Sequence, residues 1–264
     1  MNVLEFYSLK EKPFSLLPNP RFMYLADSYL ETKSKLLYFL KDRSASIYLY
    51  GPIGSGKTSL LRLIAEELDQ DKAINAQYII TPNLKTSNQL LRRFCDAFDV
   101  KTERSYEASL KNFEEFLIAQ AKANRFPLLL VDEAQNLTKD SLKLVHYLLN
   151  FCSNEKVLVM FVLVGQPELL ERIAKFPSLK SRMISANISE MTRRDQEAMI
   201  KFRWGITSDT SVPFTTKALD TIYSITKGNP RKTIKLCDLA LVHGLTENQK
   251  KIKASLIKKG AKDL

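Results

Sequence analysis

The sequence predicts an α/β protein in which a five-stranded parallel sheet lies between helices and is followed by a small all-helical domain. Short runs of β-branched and aliphatic residues recur in the first 190 residues, and amphipathic helical stretches separate them. Because strands and helices alternate there, the strands are expected to be parallel and covered by helices on both faces. After residue 190 the strand pattern stops and helical patterns continue. We therefore predict a first domain at residues 1–190 and a second at residues 191–264.

Five apolar runs are the predicted strands. They lie at residues 47–50, 77–81, 128–131, 157–164 and 185–188. Polar residues that favour helix N-caps precede the helical stretches between these strands. The proposed capping residues are Ser28, Ser87 and Thr138. In the second domain, helices are predicted to begin at Thr192, Thr215, Pro230 and Thr246.

The composition indicates a globular protein of the cytoplasm. With 264 residues and 45% hydrophobic content, the chain can bury a large core without disulfides or metals. Three cysteines, Cys95, Cys152 and Cys237, are far apart among apolar neighbours, so they are expected to be buried and reduced. No export signal follows Met1, and the longest apolar run, residues 157–164, is too short to cross a bilayer. Membrane insertion is therefore not expected.

The net charge of +11 is concentrated toward the carboxyl terminus. Residues 191–264 contain 15 Lys or Arg against 7 Asp or Glu. One interpretation is a solvated helix face, which is what most lysine-rich segments are. The other is binding to a polyanion, and nucleic acid fits best because clustered Lys and Arg release counterions from its phosphates.

A glycine-rich segment between the first predicted strand and the helix after it matches the phosphate-loop pattern GxxxxGK[ST]. Its glycines allow the backbone to curl so that successive N–H groups face a β-phosphate. Lys57 supplies a positive charge to the β- and γ-phosphate oxygens, and the Thr58 hydroxyl is a ligand for Mg²⁺. The pattern therefore predicts ATP binding with Mg²⁺ rather than a glycine-rich turn without a ligand. The predicted nucleotide-binding positions in this segment are Gly51, Pro52, Ile53, Gly54, Ser55, Gly56, Lys57, Thr58 and Ser59.

Two carboxylates follow the predicted strand at residues 128–131. Asp132 is expected to belong to the nucleotide site and, with Thr58, to hold Mg²⁺. Glu133 lies one residue further and points to the other side of the strand, where it can orient and deprotonate an attacking water. Alone, such a pair often marks only a strand that leaves the core. Together with the phosphate loop upstream, it indicates hydrolysis of ATP rather than kinase chemistry.

Three further side chains are predicted to reach the triphosphate. Gln166 follows a predicted strand and can contact the attacking water or the γ-phosphate, although its turn also begins a helix. Arg231, behind a Gly-Asn-Pro turn, either contacts phosphate from the first turn of a helix or is an ordinary surface arginine. Arg182, with Arg172 and Arg194 as alternatives, is the candidate arginine finger for the ATP of a neighbouring subunit. The predicted catalytic set is Lys57, Glu133, Gln166, Arg182 and Arg231.

Together these residues resemble the AAA+ ATPases, which are P-loop NTPases with a RecA-like core and a helical lid. In that family Gln166 corresponds to a polar sensor and Arg231 to the arginine of a GxPR second-sensor motif. Narrower motifs resemble the ATPases of the general secretion component A type. They are YSLKEKPF at residues 7–14, PNPRF at 18–22, DEAQNL at 132–137, VGQPEL at 164–169 and LCDLAL at 236–241. This group is similar to the ATP-dependent transposition regulators TnsC, TniB and the B protein of phage Mu.

The resemblance implies roles that the residues alone do not establish. The amino-terminal segment up to Arg21 is expected to wrap the adenine, Arg182 to act on a neighbour's nucleotide, and Arg231 to couple the lid to the γ-phosphate. In the transposition regulators, the loop and helix after the second strand line the inside of an oligomer and touch DNA. Here that loop is TPNLKT, residues 81–86. The expected DNA contacts are therefore Lys85, Arg92 and Arg93.

The leading functional hypothesis is an ATP hydrolase that acts as a switch on DNA. ATP would drive assembly of a ring or filament on double-stranded DNA without sequence preference, and this oligomer would recruit a transposase or another protein. The alternative is a cytoplasmic ATPase that assists a secretion or pilus assembly machine through protein partners. A helicase is disfavoured because the 131 residues after Glu133 leave no room for a second RecA-like lobe beside the lid. The intact Glu133 disfavours a structural ATP binder without turnover.

Overall fold

The computed structural model describes residues 2–17, 19–80, 84–152 and 157–264. They form two compact units, and the chain passes between the units more than once. The first unit comprises Met1–Leu30, Ile53–Ser59 and Ser189–Leu264, and the second comprises Glu31–Pro52 and Leu60–Ile188. Most of the phosphate loop is therefore grouped with the two ends of the chain. The division into domains after residue 190 remains a prediction.

The second unit is built on a five-stranded parallel sheet in the order β2-β3-β4-β1-β5. The strands are β1 (Ser46–Tyr50), β2 (Ile74–Ile80), β3 (Phe126–Asp132), β4 (Met160–Gly165) and β5 (Met183–Asn187). The sequence-based prediction of an α/β fold with this sheet is confirmed. The second strand begins three residues earlier than predicted, because Ile74 pairs with Phe126 despite the polar residues that follow it. The fourth begins later, since Val157 forms only an isolated bridge with Cys152.

Parallel pairing brings the carboxyl ends of three strands to one edge of the sheet. Tyr50 of β1 is in register with Gly165 of β4, and Val131 of β3 is in register with Leu163 of β4. Asp132 is the last residue of β3. The sheet therefore places the acidic pair two strands away from the point where β1 runs into the glycine-rich segment.

Twelve α-helices surround or follow the sheet in the described residues. They are α1 (Val3–Tyr7), α2 (Asp27–Lys41), α3 (Lys57–Leu68), α4 (Ser87–Ala97), α5 (Tyr106–Lys122), α6 (Lys139–Asn150), α7 (Pro167–Ala174), α8 (Pro177–Lys180), α9 (Arg193–Thr207), α10 (Thr216–Thr226), α11 (Pro230–Thr246) and α12 (Ala254–Gly260). Short 3₁₀ turns lie at Pro20–Phe22, Ala134–Asn136 and Ala261–Asp263. None of these helices combines the length and apolar character that a membrane crossing requires.

Aromatic packing holds the helices of the second unit on the sheet. The ring of Phe94 on α4 lies 5.7 Å from that of Phe161 on β4 and 6.2 Å from that of Phe113 on α5. All three side chains are fully buried. Burial of each such side chain contributes roughly 1.5–3 kcal/mol, so this cluster fixes the sheet from which the acidic pair projects.

Three of the residues predicted at the start of a helix are found as caps. Ser28 is not one of them, because α2 already begins at Asp27. Thr138, Thr192 and Thr215 each accept a hydrogen bond from a backbone N–H of the helix that follows. Helix α4 is capped by Thr86 rather than by Ser87. The prediction of a helix beginning at Thr246 is wrong. Helix α11 ends at that residue, and α12 begins at Ala254.

Gly244 lies within α11. Its φ is not in the left-handed region, and a side chain at this position would collide with the Tyr7 hydroxyl. A Cβ at this position would also lie 2.7 Å from Ile252 Cδ1. The glycine therefore allows close packing inside a helix instead of a turn.

The cysteines follow the sequence-based expectation at two of three positions. Cys95 and Cys237 are buried, and burial raises the pKa of the Cys95 thiol to about 11. Cys152 is exposed after the end of α6, so the expectation of a buried thiol is wrong there. Its apolar sequence neighbours, Phe151 and Leu149, turn toward the core while the chain leaves the helix.

The first unit has its own core, to which the amino-terminal segment belongs. Tyr7 stacks edge-on against Trp204 of α9 with ring centroids 6.2 Å apart, and its hydroxyl donates to the Gln249 carbonyl at 3.1 Å. Phe14 meets Phe214 in the same geometry at 5.9 Å. The first residues of the chain are thus an integral part of the helical unit.

The guanidinium of Arg203 on α9 forms hydrogen bonds with the amino-terminal segment. Nε donates to the carbonyl of Pro13 at 2.8 Å, Nη1 to that of Phe22 at 2.9 Å and Nη2 to that of Ser15 at 3.0 Å. The guanidinium carbon also lies 5.0 Å from the centre of the Phe22 ring. Burial lowers the pKa of Arg203 to about 10. Three hydrogen bonds in a planar fork compensate for burying the charge.

We expect Arg203→Lys to lower the free energy of unfolding by about 2 to 4 kcal/mol, because an ammonium group cannot reach three carbonyls arranged for a fork. Urea denaturation followed by circular dichroism measures this change. Arg194→Lys, on the exposed side of the same helix, is the matched control and should shift stability by less than about 0.5 kcal/mol. Equal stability of the two variants would contradict this role of Arg203.

Candidate functional site

The glycine-rich segment forms a tight loop between β1 and α3. Gly54 and Gly56 have φ values of 79° and 91°, a region that glycine adopts without strain. The loop leads directly into Lys57, the first residue of α3. The first N–H groups of a helix lack intrahelical acceptors, so this end of α3 stabilises an anion.

The beginning of α11 contacts the loop within the first unit. Asn229, the N-cap of α11, donates from Nδ2 to the Ile53 carbonyl at 2.7 Å, and the Arg231 N–H donates to the Gly54 carbonyl at 3.3 Å. A Cβ at Gly54 would lie 2.8 Å from Arg231 Cβ. Gly54 is therefore required both by its backbone conformation and by the approach of α11.

Tyr29 contacts the loop from α2. Its hydroxyl donates to the Ser55 carbonyl, and a Cβ at Gly56 would lie 3.3 Å from the Tyr29 ring. Burial, and secondarily the charge of Glu190, raises the pKa of Tyr29, so the hydroxyl keeps its proton. Sequence reasoning missed Tyr29 because its distance in sequence from the loop leaves no local signal.

Three successive carbonyls of the loop, those of residues 53–55, are thus each held by a donor in the same unit. In a trans peptide the carbonyl points opposite to the N–H of the next residue. The N–H groups of residues 54–56 therefore point away from these donors. Backbone N–H groups of a glycine-rich loop are suited to phosphate oxygens.

The loop residues fit the phosphates of a nucleotide and a hard cation. Ser55 is fully buried, and its Oγ has no hydrogen-bond partner among the residues that the structure describes. A buried hydroxyl in this state is uncommon in proteins and indicates a place for a ligand. Lys57 and Thr58 are half-buried at the start of α3. These residue types offer one positive charge and hydroxyl oxygens, which suit phosphate and Mg²⁺ respectively.

The acidic pair lies in the second unit and is held by neighbouring groups. Asp132 is buried at the end of β3, where Oδ2 accepts a hydrogen bond from the Tyr78 hydroxyl at 2.7 Å. Oδ1 accepts from the Glu133 N–H at 2.9 Å. Burial and the Asp132 carboxylate raise the pKa of Tyr78, and Arg62 acts in the opposite direction. Tyr78 is a second contact that sequence reasoning did not identify.

Glu133 adopts a left-handed backbone with a φ of 55°. Its Oε2 accepts a hydrogen bond from Gln135 Nε2 at 2.6 Å. Gln135 Oε1 in turn accepts from the Gln166 N–H at 3.1 Å. The two predicted residues Glu133 and Gln166 are therefore joined by a third side chain, which belongs to the DEAQNL motif but had no assigned role.

The arginine candidates lie in different environments. Arg182 is exposed just before β5, at the amino-terminal edge of the sheet, and lines a cavity of about 280 Å³ with Ser44 and Met160. Arg172 donates from Nη1 to the Leu137 carbonyl at 2.6 Å. Arg194 and the side chain of Arg231 are exposed. Arg172 therefore has a structural contact of its own, and Arg182 remains the predicted arginine finger.

The predicted DNA contacts lie on or next to α4. Lys85 and Arg93 are exposed, while Arg92 is half-buried and donates to the Glu103 carbonyl at 2.8 Å. Residues 81–83 of the TPNLKT loop lie outside the described residues. Lys85 and Arg93 are thus the two candidates whose charge faces solvent.

A glycine-rich loop between a strand and a helix, together with an acidic pair two strands away, defines a P-loop nucleotide-binding protein. The family model described as AAA domain matches residues 41–173, which is half of the chain. The chain therefore belongs to the AAA domain family.

Individual relatives agree with the resemblance found in the motifs. The general secretion pathway protein A of Aeromonas hydrophila is 32% identical over 256 residues, which cover 94% of this chain and 46% of that protein. The identification with the secretion component A type is thereby confirmed. The chain spans about half the length of the curated relatives it matches.

Solved structures share the fold. The crystal structure of Cdc6p from Pyrobaculum aerophilum has a TM-score of 0.74 at 16% identity, with 97% of this chain and 71% of that chain covered. The ORC1 protein of Aeropyrum pernix in complex with DNA has a TM-score of 0.73 at 14% identity, covering 97% and 70%. At these identities the likeness concerns the fold alone.

We expect Tyr29→Phe to raise the Kd for ATP about 3- to 10-fold, because it removes the donor that holds the Ser55 carbonyl. Titration with a fluorescent ATP analogue measures the affinity. Tyr38→Phe, at an exposed position of the same helix, is the matched control and should bind ATP as the parent does. If both variants bind alike, the hydroxyl of Tyr29 does not shape the loop.

Proposed function

We propose that the chain binds ATP with Mg²⁺ and hydrolyses it. The chain contains a phosphate loop, and the observation that carries this proposal is that the two carboxylates following β3 lie in different surroundings. Asp132 is buried and hydrogen-bonded to Tyr78, whereas Glu133 is half-buried and contacts an amide. Two acids in separate environments suit two roles, one toward a cation and one toward water.

The proposed roles follow from the charges of these groups. Lys57 and the loop N–H groups would bind the β- and γ-phosphates, and Thr58 with Asp132 would hold Mg²⁺, which would neutralise phosphate charge. Glu133 would accept a proton from the attacking water while the water oxygen bonds to the γ-phosphorus. The bond between that phosphorus and the β-γ bridging oxygen would then break, which releases ADP and phosphate.

Further side chains are proposed to sense or complete the site. Gln166 would contact the γ-phosphate or the attacking water, Arg231 would couple the lid to the γ-phosphate, and Arg182 would act on the nucleotide of a neighbouring subunit. The exposure of both arginine side chains supports a role that depends on a bound ligand or a second copy.

Substitution of the two central residues should separate binding from chemistry. We expect Lys57→Ala to abolish measurable ATP binding, whereas Glu133→Gln should bind ATP normally and lower kcat at least about 100-fold. Phosphate release and nucleotide titration measure the two quantities. Glu115→Gln, at an exposed position of α5, is the control and should match the parent. Normal turnover by Glu133→Gln would exclude the proposed hydrolysis mechanism.

We propose further that ATP drives assembly of the chain, as a ring or a filament, on double-stranded DNA. Exposed Arg93 on α4, exposed Lys85 just before that helix, and the basic composition of residues 191–264 support this proposal. The fold is shared with an ORC1 protein solved in complex with DNA. Backbone phosphates would carry such binding, so it would be independent of sequence. The assembly would then recruit a protein partner such as a transposase.

Salt dependence tests the DNA contacts. We expect Lys85→Ala and Arg93→Ala each to weaken duplex binding and to reduce the slope of log K against log salt by about one. Fluorescence anisotropy with ATP present measures both quantities. Lys122→Ala, exposed at the end of α5, should leave the slope unchanged. Binding that ignores salt would contradict the proposal.

The second candidate is an ATPase that assists a secretion or pilus assembly machine through protein partners. Its support is the 32% identity with general secretion pathway protein A. Electron microscopy with and without ATP and duplex DNA, combined with phosphate release, distinguishes the two. If DNA neither orders the protein nor changes turnover, the secretion role is favoured. Either role is proposed for the cytoplasm, where reduced cysteines are expected.

A further inference from the structure

Gln135 joins the ends of two neighbouring strands in the second unit. It follows β3 by three residues, is 8% exposed, and bonds both Glu133 and the first residue after β4. Its amide therefore contacts a candidate base on one side and the main chain of Gln166 on the other.

The chemistry of the partners fixes the orientation of this amide. The Gln166 N–H can only donate, so it must face Gln135 Oε1. The ionised carboxylate of Glu133 can only accept, so it must face Gln135 Nε2. A flipped amide would lose both hydrogen bonds and would place its oxygen against a carboxylate. The side chain can thus bridge the two groups in one orientation only.

Gly165 provides the room that this bridge needs. A Cβ at Gly165 would lie 2.6 Å from Gln135 Oε1 and 3.1 Å from the Gln135 backbone nitrogen. Its φ lies outside the left-handed region. The absence of a side chain at the end of β4 therefore serves close approach and not backbone conformation.

We propose that Gln135 is a positioning residue for Glu133. Gln135 holds the Glu133 carboxylate in the orientation in which this carboxylate can accept a proton from the attacking water. Because Gln135 also contacts the main chain after β4, the orientation of Glu133 depends on the position of that strand end. A displacement of the Gln166 main chain would consequently turn Glu133. This inference rests on the proposed hydrolysis of ATP, because Gln135 acts only through Glu133.

Hydrolysis depends on this kind of support. A carboxylate that acts as a base must lie within hydrogen-bond reach of water, and a misplacement of about 1 Å costs on the order of 100-fold in rate. Glu133 is the N-cap of the short 3₁₀ turn at Ala134–Asn136, where its backbone is left-handed. Loss of the bridge should therefore lower kcat and leave ATP affinity unchanged.

Gln135→Met tests the bridge without opening a cavity, because methionine has a similar volume and no hydrogen-bonding amide. We expect kcat to fall about 10- to 100-fold while the Kd for ATP stays within about twofold of the parent. Gln120→Met, the same change at an amide on α5 whose Oε1 has no described partner, should keep the parent kcat. A parent-like kcat for Gln135→Met would overturn the inference.

Gly165→Ala tests the same bridge without altering either member of it. The added methyl group should displace Gln135 Oε1 and reproduce the fall in kcat at unchanged ATP affinity. Gly205→Ala is the matched control, since a Cβ there meets no described atom within 4 Å, and it should behave as the parent. Melting temperatures of all four variants show whether each is folded. A folded Gly165→Ala variant with normal kcat would contradict the proposal.

A double-mutant cycle with Glu133→Gln separates positioning from general damage. If Gln135 acts only through Glu133, adding Gln135→Met to Glu133→Gln should change the residual single-turnover rate by less than about twofold. A further loss of tenfold or more would show an independent role and overturn the inference. If Glu133→Gln alone turns over normally, the proposed ATP hydrolysis mechanism fails as well. A normal Gln135→Met beside an inactive Glu133→Gln refutes only the positioning role.

Discussion

The row of hydrogen bonds on the carbonyls of residues 53–55 is the constraint on which the site depends. Glycine makes the loop possible, but left-handed glycines alone leave the peptide planes free to rotate. Asn229, Arg231 and Tyr29 fix three consecutive planes, and planarity of the peptide then fixes the N–H groups on the far side. These contacts therefore set the direction of the loop N–H groups that the proposed phosphate binding uses.

The same constraint explains the grouping of the phosphate loop with the helical unit. The partners of the loop come from α2 and from the start of α11. Tyr29 lies 26 residues from the carbonyl that it contacts, and Asn229 lies 176 residues from its own. The sheet of the second unit supplies the acidic pair through β3, where Tyr78 holds Asp132 and Gln135 holds Glu133. Each carboxylate of the acidic pair thus has a neutral neighbour that sets its direction.

Local patterns predicted the parts of this structure that local physics determines. Alternating strands and helices, the phosphate loop, the acidic pair and the caps at Thr138, Thr192 and Thr215 all depend on neighbours within a few residues. The failures arose where distant contacts decide. The helix predicted to begin at Thr246 is wrong because the packing of Gly244 against Tyr7 inside α11 is invisible in the sequence. Tyr29 and Tyr78 belong to no motif, and the DEAQNL motif that contains Gln135 does not by itself indicate its contacts.

The guanidinium of Arg203 has a consequence for how the chain is made. Its three acceptors lie 181 to 190 residues before it, so they leave the ribosome long before their donor exists. During synthesis Phe14 and Phe22 therefore emerge before their partners Phe214 and Arg203 exist. Contacts of such long sequence separation form slowly and leave apolar surface open to association meanwhile. The first unit is consequently completed only near the end of translation. The second unit, which is continuous in sequence apart from Ile53–Ser59, can form before it.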